Sequence, residues 1–379
     1  MASPPDVTDV CNRRTDDSVA SSRPTRGIIV KLSTMLNYSG DVLAAADELT
    51  ALEKAGLDCV WVPEAYSFDA VSMMGYLAAR TDRVEIGSAI VNVYSRTATL
   101  LAMTFAGLDA VSRGRANCGL GASGPQVIEG FHGVAYEQPM RRIRETIEVC
   151  RATWRREVID YHGRTIDIPL PAGEGTGLGK PLKLINHPVR SSIPIWWASL
   201  KGRSVESTAE LADGWIPVQF VPERADLVWG DALQLGAAKR SPQLAPLQIL
   251  AGGPVRITDD ADVATRVLDA GRPQVALYVG GMGARGKNFY NDIMSAYGWE
   301  GEAKQIQDLY LDGKKEEAAA AVPQEYLAAT GLVGPRGHVA ERLAAYAEAG
   351  VTHLQLGLGG TVEEKVATVE TLRELADAH

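Results

Sequence analysis

The sequence predicts a single (β/α)8 barrel of the TIM type, with a helical segment inserted between strands seven and eight. Three observations carry that expectation. Short apolar runs alternate with amphipathic stretches from residue 27 onward, the pattern of parallel strands covered by helices. No second cluster of strands marks another domain. The alternation also returns to one last strand and helix at the C-terminus, which favours a closed barrel over a doubly wound sheet.

Each element follows from its local pattern. GIIVKLS (27–33) is the first strand, and DVLAAADELTALEKAG (41–56) is a helix with Asp41 as cap and Gly56 as stop. LDCVWVPE (57–64) and DAVSMMGYLAARTD (69–82) form the second pair, VEIGSAIV (84–91) and TATLLAMTFAGLDAVS (97–112) the third. RANCGLG (115–121) is the fourth strand, and PMRRIRETIEVCRATWRRE (139–157) is a long helix. VIDYHGRTIDI (158–168) has the form of a hairpin turning at His162-Gly163, and residues 169–192 form a Pro/Gly-rich excursion without strands. IPIWWAS (193–199), GWIPVQF (214–220), PLQILAGGPVRI (246–257) and VTHLQLGL (351–358) complete the eight strands. The helix VESTAELAD (205–213) lies between the fifth and sixth, and TVEEKVATVETLRELADAH closes the chain. Residues 282–334 are the helical insertion, which by position covers the barrel mouth and shapes a pocket there.

Composition bounds the partners. The 379 residues are 46% hydrophobic and 22% charged, an ordinary globular balance. A net charge of −9 argues against nucleic acid as a bulk partner. No apolar run approaches the ~18 residues that span a bilayer. Residues 1–26 are polar and rich in Pro, Ser and Asp, which predicts a disordered leader ahead of a barrel domain over 27–379. Cys11, Cys59, Cys118 and Cys150 show no C-x-x-C spacing, so they are expected to be inert thiols of a cytoplasmic protein. Six scattered histidines give no metal-ligand spacing.

Residues 119–124, GLGASG, spell the dinucleotide fingerprint G-x-G-x-x-G. That motif should follow the first strand of its unit and meet an acidic residue roughly 20 positions later at a strand end. Here it follows the fourth strand, and the helix PMRRIRETIEVC occupies the later position. It is not a dinucleotide fingerprint. Bare backbone at the carboxyl end of a barrel strand instead exposes N–H groups to a ligand, with Ser123 adding a hydroxyl; the plain alternative is a tight turn. The other strand ends carry Pro63-Glu64-Ala65-Tyr66, Ala89-Ile90-Val91-Asn92 with Tyr94 and Arg96, and Trp197-Ala198-Ser199. Small residues at several rims suit a large flat ligand pressed against backbone. Glu64 is open to two readings, a ligand contact or a structural salt bridge.

CVWVPEAYSFDAVSMMGYLAARTDRVEIGSAI, CGLGASGPQVIEGFHG, HPVRSSIPIWWAS with AELADGWIP, and YVGGMGARGKNFYNDI with LVGP resemble the bacterial-luciferase-like superfamily. More narrowly they resemble its branch of oxidoreductases that use the deazaflavin coenzyme F420. The resemblance implies hydride transfer to or from a small organic substrate, with FMN-dependent oxygenation as the alternative. It implies a homodimer, and a non-proline cis peptide after the third strand, here Ala89–Ile90. It further implies cofactor contacts at Glu64, Ala89, Ile90, Asn92, Ser123, Gly124, Ala198 and Ser199.

Two departures matter. Relatives that oxidise alcohols or sugar phosphates place a histidine after the acid, where this chain has Ala65. The sugar-phosphate enzymes add a glutamate whose counterpart here is Gly124. The usual acid/base pair is absent, which leaves Glu64, Tyr66, Glu129 and His132 as candidates to move a proton. Glu129 and His132, three apart, could share a helix face. Arg141, Arg142 and Arg144 are either contacts for the anionic cofactor tail or a solvated helix face. Lys201, Arg203, Arg285 and Lys287 carry the same two readings. Trp196 and Trp197 face opposite ways, so one packs in the core and the other reaches the ring or the core as well.

Overall fold

Eight parallel strands close on themselves in chain order: β1 (Lys31–Met35), β2 (Cys59–Val62), β3 (Glu85–Ser88), β4 (Ala116–Gly121), β5 (Ile195–Ala198), β6 (Gly214–Ile216), β7 (Gln248–Ile257) and β8 (His353–Leu358). Each pairs with the next, and β8 returns to β1 with Lys31 opposite His353. This computed structural model describes residues 30–37 and 40–378. The expected leader and the first residues of the first expected strand lie outside them. No helix among the described residues is long and apolar enough to cross a membrane.

Local chemistry starts the helices where the strands end. Asp41 accepts from the N–H groups of Leu43 and Ala44, Asp69 from Ser72, and Thr97 from Leu100. These caps satisfy donors that the first helical turn leaves open. The helices Val42–Lys54, Ala70–Arg80 and Ala98–Val111 then cover the barrel's outer face.

Inside the barrel, Trp61 and Trp196 form the plug. They meet edge to face with centroids 4.9 Å apart, in a cluster with Cys59, Ile216 and Leu250. Two indoles fit only because neighbouring strands are bare. A Cβ on Gly87 would lie 2.4 Å from Trp61, and one on Gly214 would lie 2.1 Å from Trp196. Both tryptophans of the fifth strand are fully buried: Trp196 in this plug, Trp197 in the layer beneath the helices.

The N-terminal end of the plug is polar. The Trp196 Nε1–H donates to Asn117, Asn117 donates to Glu85, and Lys31 pairs with Glu85 at 2.5 Å. His353 packs on Trp196 at 4.7 Å and is 1% exposed. Burial lowers its pKa to about 4 from 6.5, with Lys31 reinforcing the shift and Glu85 opposing it.

Four features differ from the sequence reading. The third strand is not continuous over 84–91: it stops at Ser88, the Ala89–Ile90 peptide is cis, and Val91–Asn92 resumes pairing with Leu120–Gly121. A helix at Ala225–Lys239 buries Ala225, Trp229, Ala232 and Gly236; Gly230 and Gly236 within it blurred its apolar face. Leu332–Gly334 is a short strand on the outer edge of β7, opposite Val255–Ile257. The helix after Gly124 spans only Pro125–Gly130, so Glu129 and His132 do not share a helical face.

The region 282–334 contains helices at Phe289–Met294, Glu300–Leu311, Lys315–Ala320 and Gln324–Ala329. It packs against the loops after β5 and β6. The Lys201 ammonium lies 3.8 Å from the centre of the Phe289 ring, and Arg224 lies 4.3 Å from that of Trp299.

A pH dependence follows from His353. The unfolded chain takes up a proton there below about pH 6.5, whereas the native barrel does so only near pH 4, so stability falls as pH falls through that window. His353→Phe keeps a ring against Trp196 and removes the titration. Between pH 7 and pH 5, urea unfolding should show the wild type losing about 2 kcal/mol more than the variant. Equal losses would contradict this account.

Candidate active site at the barrel mouth

The C-terminal strand ends build a floor. Ala89, Ile90 and Ala198 rest half-buried on the Trp61–Trp196 plug. The glycines of GLGASG fit that floor. A Cβ on Gly119 would sit 1.7 Å from the Ser88 carbonyl oxygen, and one on Gly121 would sit 2.8 Å from the Ile90 Cδ1. Ser88 locks the contact: its hydroxyl donates to the Gly119 carbonyl at 2.7 Å and accepts the Gly119 N–H at 3.0 Å. These two glycines are bare so that β4 can press against the cis bend of β3. Ser123 follows with φ +57° and is exposed, and Gly124 opens the short helix without a side-chain cap.

Glu64 makes the salt bridge that its position allowed. Arg96 donates to both carboxylate oxygens at 2.7 and 2.8 Å, and the Ala70 N–H adds a bond at 3.0 Å. The two side chains are 8% and 15% exposed. The bond to Glu64 raises the Arg96 pKa above its ordinary value. Such a bidentate pair fixes the loops after β2 and β3 against each other.

Asn92, 4% exposed, accepts the N–H groups of Tyr94 and Ser95 and lies 3.5 Å from the His132 Nε2. His132 is half-exposed and packs edge-on against Phe131 at 5.3 Å. Glu129 turns away and accepts the Tyr136 N–H. Tyr94 and Tyr136 stack at 5.3 Å; their hydroxyls donate to the carbonyls of Glu137 and Ser123. Burial raises the Tyr94 pKa to about 12, so it stays protonated.

On the opposite rim Ala198 stays at the floor, but the Ser199 hydroxyl points inward to Thr208 at 2.8 Å and is buried. Lys201 also pairs with Asp292 at 3.3 Å, and Arg285 pairs with Asp308. His187 meets Arg156 in the long excursion. Tyr66, Phe68 and Phe131 are exposed, with Tyr66 and Phe131 6.3 Å apart. The sequence reading did not single out Phe68, Phe131 or Tyr136; the signal available was aromatics in strand-end loops, of which Phe68 and Phe131 are exposed.

Burial pushes the thiols of Cys59 and Cys118 well above their ordinary pKa, and Cys59, Cys118 and Cys150 are free. None is set up as a nucleophile.

The floor accounts for a graded series within one motif. Gly119→Ala meets rigid backbone and should cost about 2–3 kcal/mol, Gly121→Ala meets a side chain and should cost about 1 kcal/mol, and Gly124→Ala should stay within about 0.5 kcal/mol. Urea denaturation reads all three. Equal effects would overturn the assignment of the first two glycines to the β3–β4 contact.

Comparison with known proteins agrees with the barrel fold. A family model described as luciferase-like monooxygenase matches residues 28–353. A provisionally named coenzyme F420-dependent oxidoreductase of Mycobacterium tuberculosis is 36% identical over 354 residues, 92% of this chain and 98% of its own. Among solved structures, the coenzyme F420-dependent tetrahydromethanopterin reductase of Methanopyrus kandleri superposes with a TM-score of 0.73 at 21% identity, covering 92% of this chain and 99% of that one. The FMN complex of the oxygenating constituent of 3,6-diketocamphane monooxygenase, from Pseudomonas putida, gives 0.62 at 16%, covering 92% and 98%. Both structures share the fold.

Proposed function

The chain belongs to the luciferase-like monooxygenase family, and from that premise we propose that it is a coenzyme F420-dependent oxidoreductase exchanging a hydride with an organic substrate at the barrel mouth. The observation that carries the reading is the floor of Ala89, Ile90 and Ala198 over the paired indoles. It offers a flat apolar surface bordered by the exposed Ser123 and the backbone of Gly124, which suits a tricyclic ring with polar edges. The deazaflavin, when bound, supplies the hydride chemistry.

The chain's own residues bind, orient and exclude water. Ile90 and Ala198 carry one face of the ring. Tyr66, Phe68 and Phe131 form an apolar rim for the substrate on the other side. The Glu64 carboxylate already accepts three N–H bonds, so it positions the rim and does not carry the proton. His132, beside Asn92 and half-exposed, is the group proposed to move the proton. With Ala65 and Gly124 at the positions where alcohol-oxidising and sugar-phosphate-oxidising relatives place catalysts, an imine or activated alkene fits better as the hydride acceptor than an alcohol–carbonyl couple in either direction.

Titration of the protein with oxidised F420 and, separately, FMN tests the reading through quenching of tryptophan fluorescence. F420 should bind at least about tenfold more tightly than FMN, and Ala198→Phe, which fills the floor, should weaken F420 about tenfold or more. Preference for FMN would move the assignment to an oxygen-using flavoenzyme. Unchanged F420 binding in Ala198→Phe would remove the floor from the site.

A further inference from the structure

Arg142 stands apart from the other partly buried arginines. Arg96, Arg144 and Arg151 donate to Glu64, Glu210 and Asp213. Arg115, Arg156, Arg190, Arg224, Arg240 and Arg272 donate to main-chain carbonyls, and Arg256, Arg342 and Arg373 to carboxylates. Among the described arginines that are not exposed, Arg142 alone has a side chain with no hydrogen bond or ion pair, and its Nε is buried without an acceptor.

Its position is fixed all the same. The guanidinium lies 5.0 Å from the centre of the Tyr94 ring, a cation–π contact that holds the plane without using its N–H donors. Tyr94 is anchored to the Glu137 carbonyl and stacked on Tyr136, and Tyr136 is anchored to the Ser123 carbonyl. The shelf is therefore tied to the loop at the C-terminal end of β4. Neither carboxylate of this loop bonds to it: Glu129 accepts the Tyr136 N–H, and Glu137 meets the shelf through its main-chain oxygen. A desolvated guanidinium donor without an acceptor is costly, and the planar fork of arginine matches phosphate and carboxylate oxygens.

We propose that Arg142, held on the Tyr94–Tyr136 shelf, binds the anionic tail of the deazaflavin whose ring lies on the Ile90–Ala198 floor. The inference rests on the function proposed above. It gives the tail a grip on the β3–β4 side of the mouth. Arg144, committed to Glu210, and the exposed Arg141 take no part.

The test is equilibrium binding, independent of turnover, of F420 and of the 5-deazariboflavin chromophore that lacks phosphate and glutamates. Arg142→Gln should weaken F420 about tenfold or more while leaving the bare chromophore within about twofold. Arg142→Lys should recover part of the loss, and Arg141→Gln should change nothing. A form that keeps the phosphodiester but no glutamate tells which anion is gripped: loss with it assigns the phosphate, loss only with the full tail assigns the carboxylates. If Arg142→Gln fails to fold, wild-type affinity for F420 should still fall with added salt while that for the chromophore stays level. Unchanged F420 binding in Arg142→Gln, or equal loss for both ligands, would overturn the inference while leaving the proposed function standing. Failure of the wild type to bind F420 would overturn both.

Discussion

The edge-to-face contact between Trp61 and Trp196 fills the barrel and fixes the depth at which anything can bind. Two indoles inside one eight-stranded barrel force the adjacent strands to be bare, and Gly87 and Gly214 are. The rest is stacked on that choice. Below the indoles the barrel ends in the Lys31–Glu85–Asn117 chain and the neutral His353. Above them, among the described residues, the partly buried apolar side chains packed on the indoles are Ala89, Ile90 and Ala198. A wide, shallow, apolar floor is what remains when large side chains occupy the middle of the barrel and small ones its rim.

The arrangement of charge at the mouth follows a division of labour. Glu64 and Arg96 neutralise each other and hold two loops in register; their burial makes sense only as a pair, because removing one partner strands the other. Arg142 has an aromatic partner in place of an anionic one. Among the described residues no carboxylate bonds to its side chain, and its Nε is buried without an acceptor. The same residue type thus builds structure at one strand end and leaves a binding valence open at another.

The barrel, its strand order and the helical insertion were legible because alternation of apolar runs and capped amphipathic helices survives without any knowledge of contacts. Asp41 caps where its position before an apolar period predicted, and the first residues of the next two expected helices, Asp69 and Thr97, prove to cap as well. The helix Ala225–Lys239 was missed because its glycines break the apolar face, and Leu332–Gly334 because three residues carry no period. At the site, GLGASG lies at the end of the fourth strand, where the sequence placed it. What its glycines do was not legible, since Gly119 answers to the Ser88 carbonyl, 31 residues away in the chain. The inward turn of Ser199 toward Thr208 and the pairing of Glu64 with Arg96 are contacts across elements, and a single sequence offers no measure of them.

The most direct measurement is a crystal structure of the protein with oxidised F420. The account predicts the tricyclic ring in van der Waals contact with Ile90 and Ala198, one face toward the Trp61–Trp196 plug and one edge at Ser123–Gly124. A ring bound elsewhere, or lifted off the floor by an intervening side chain, would contradict it.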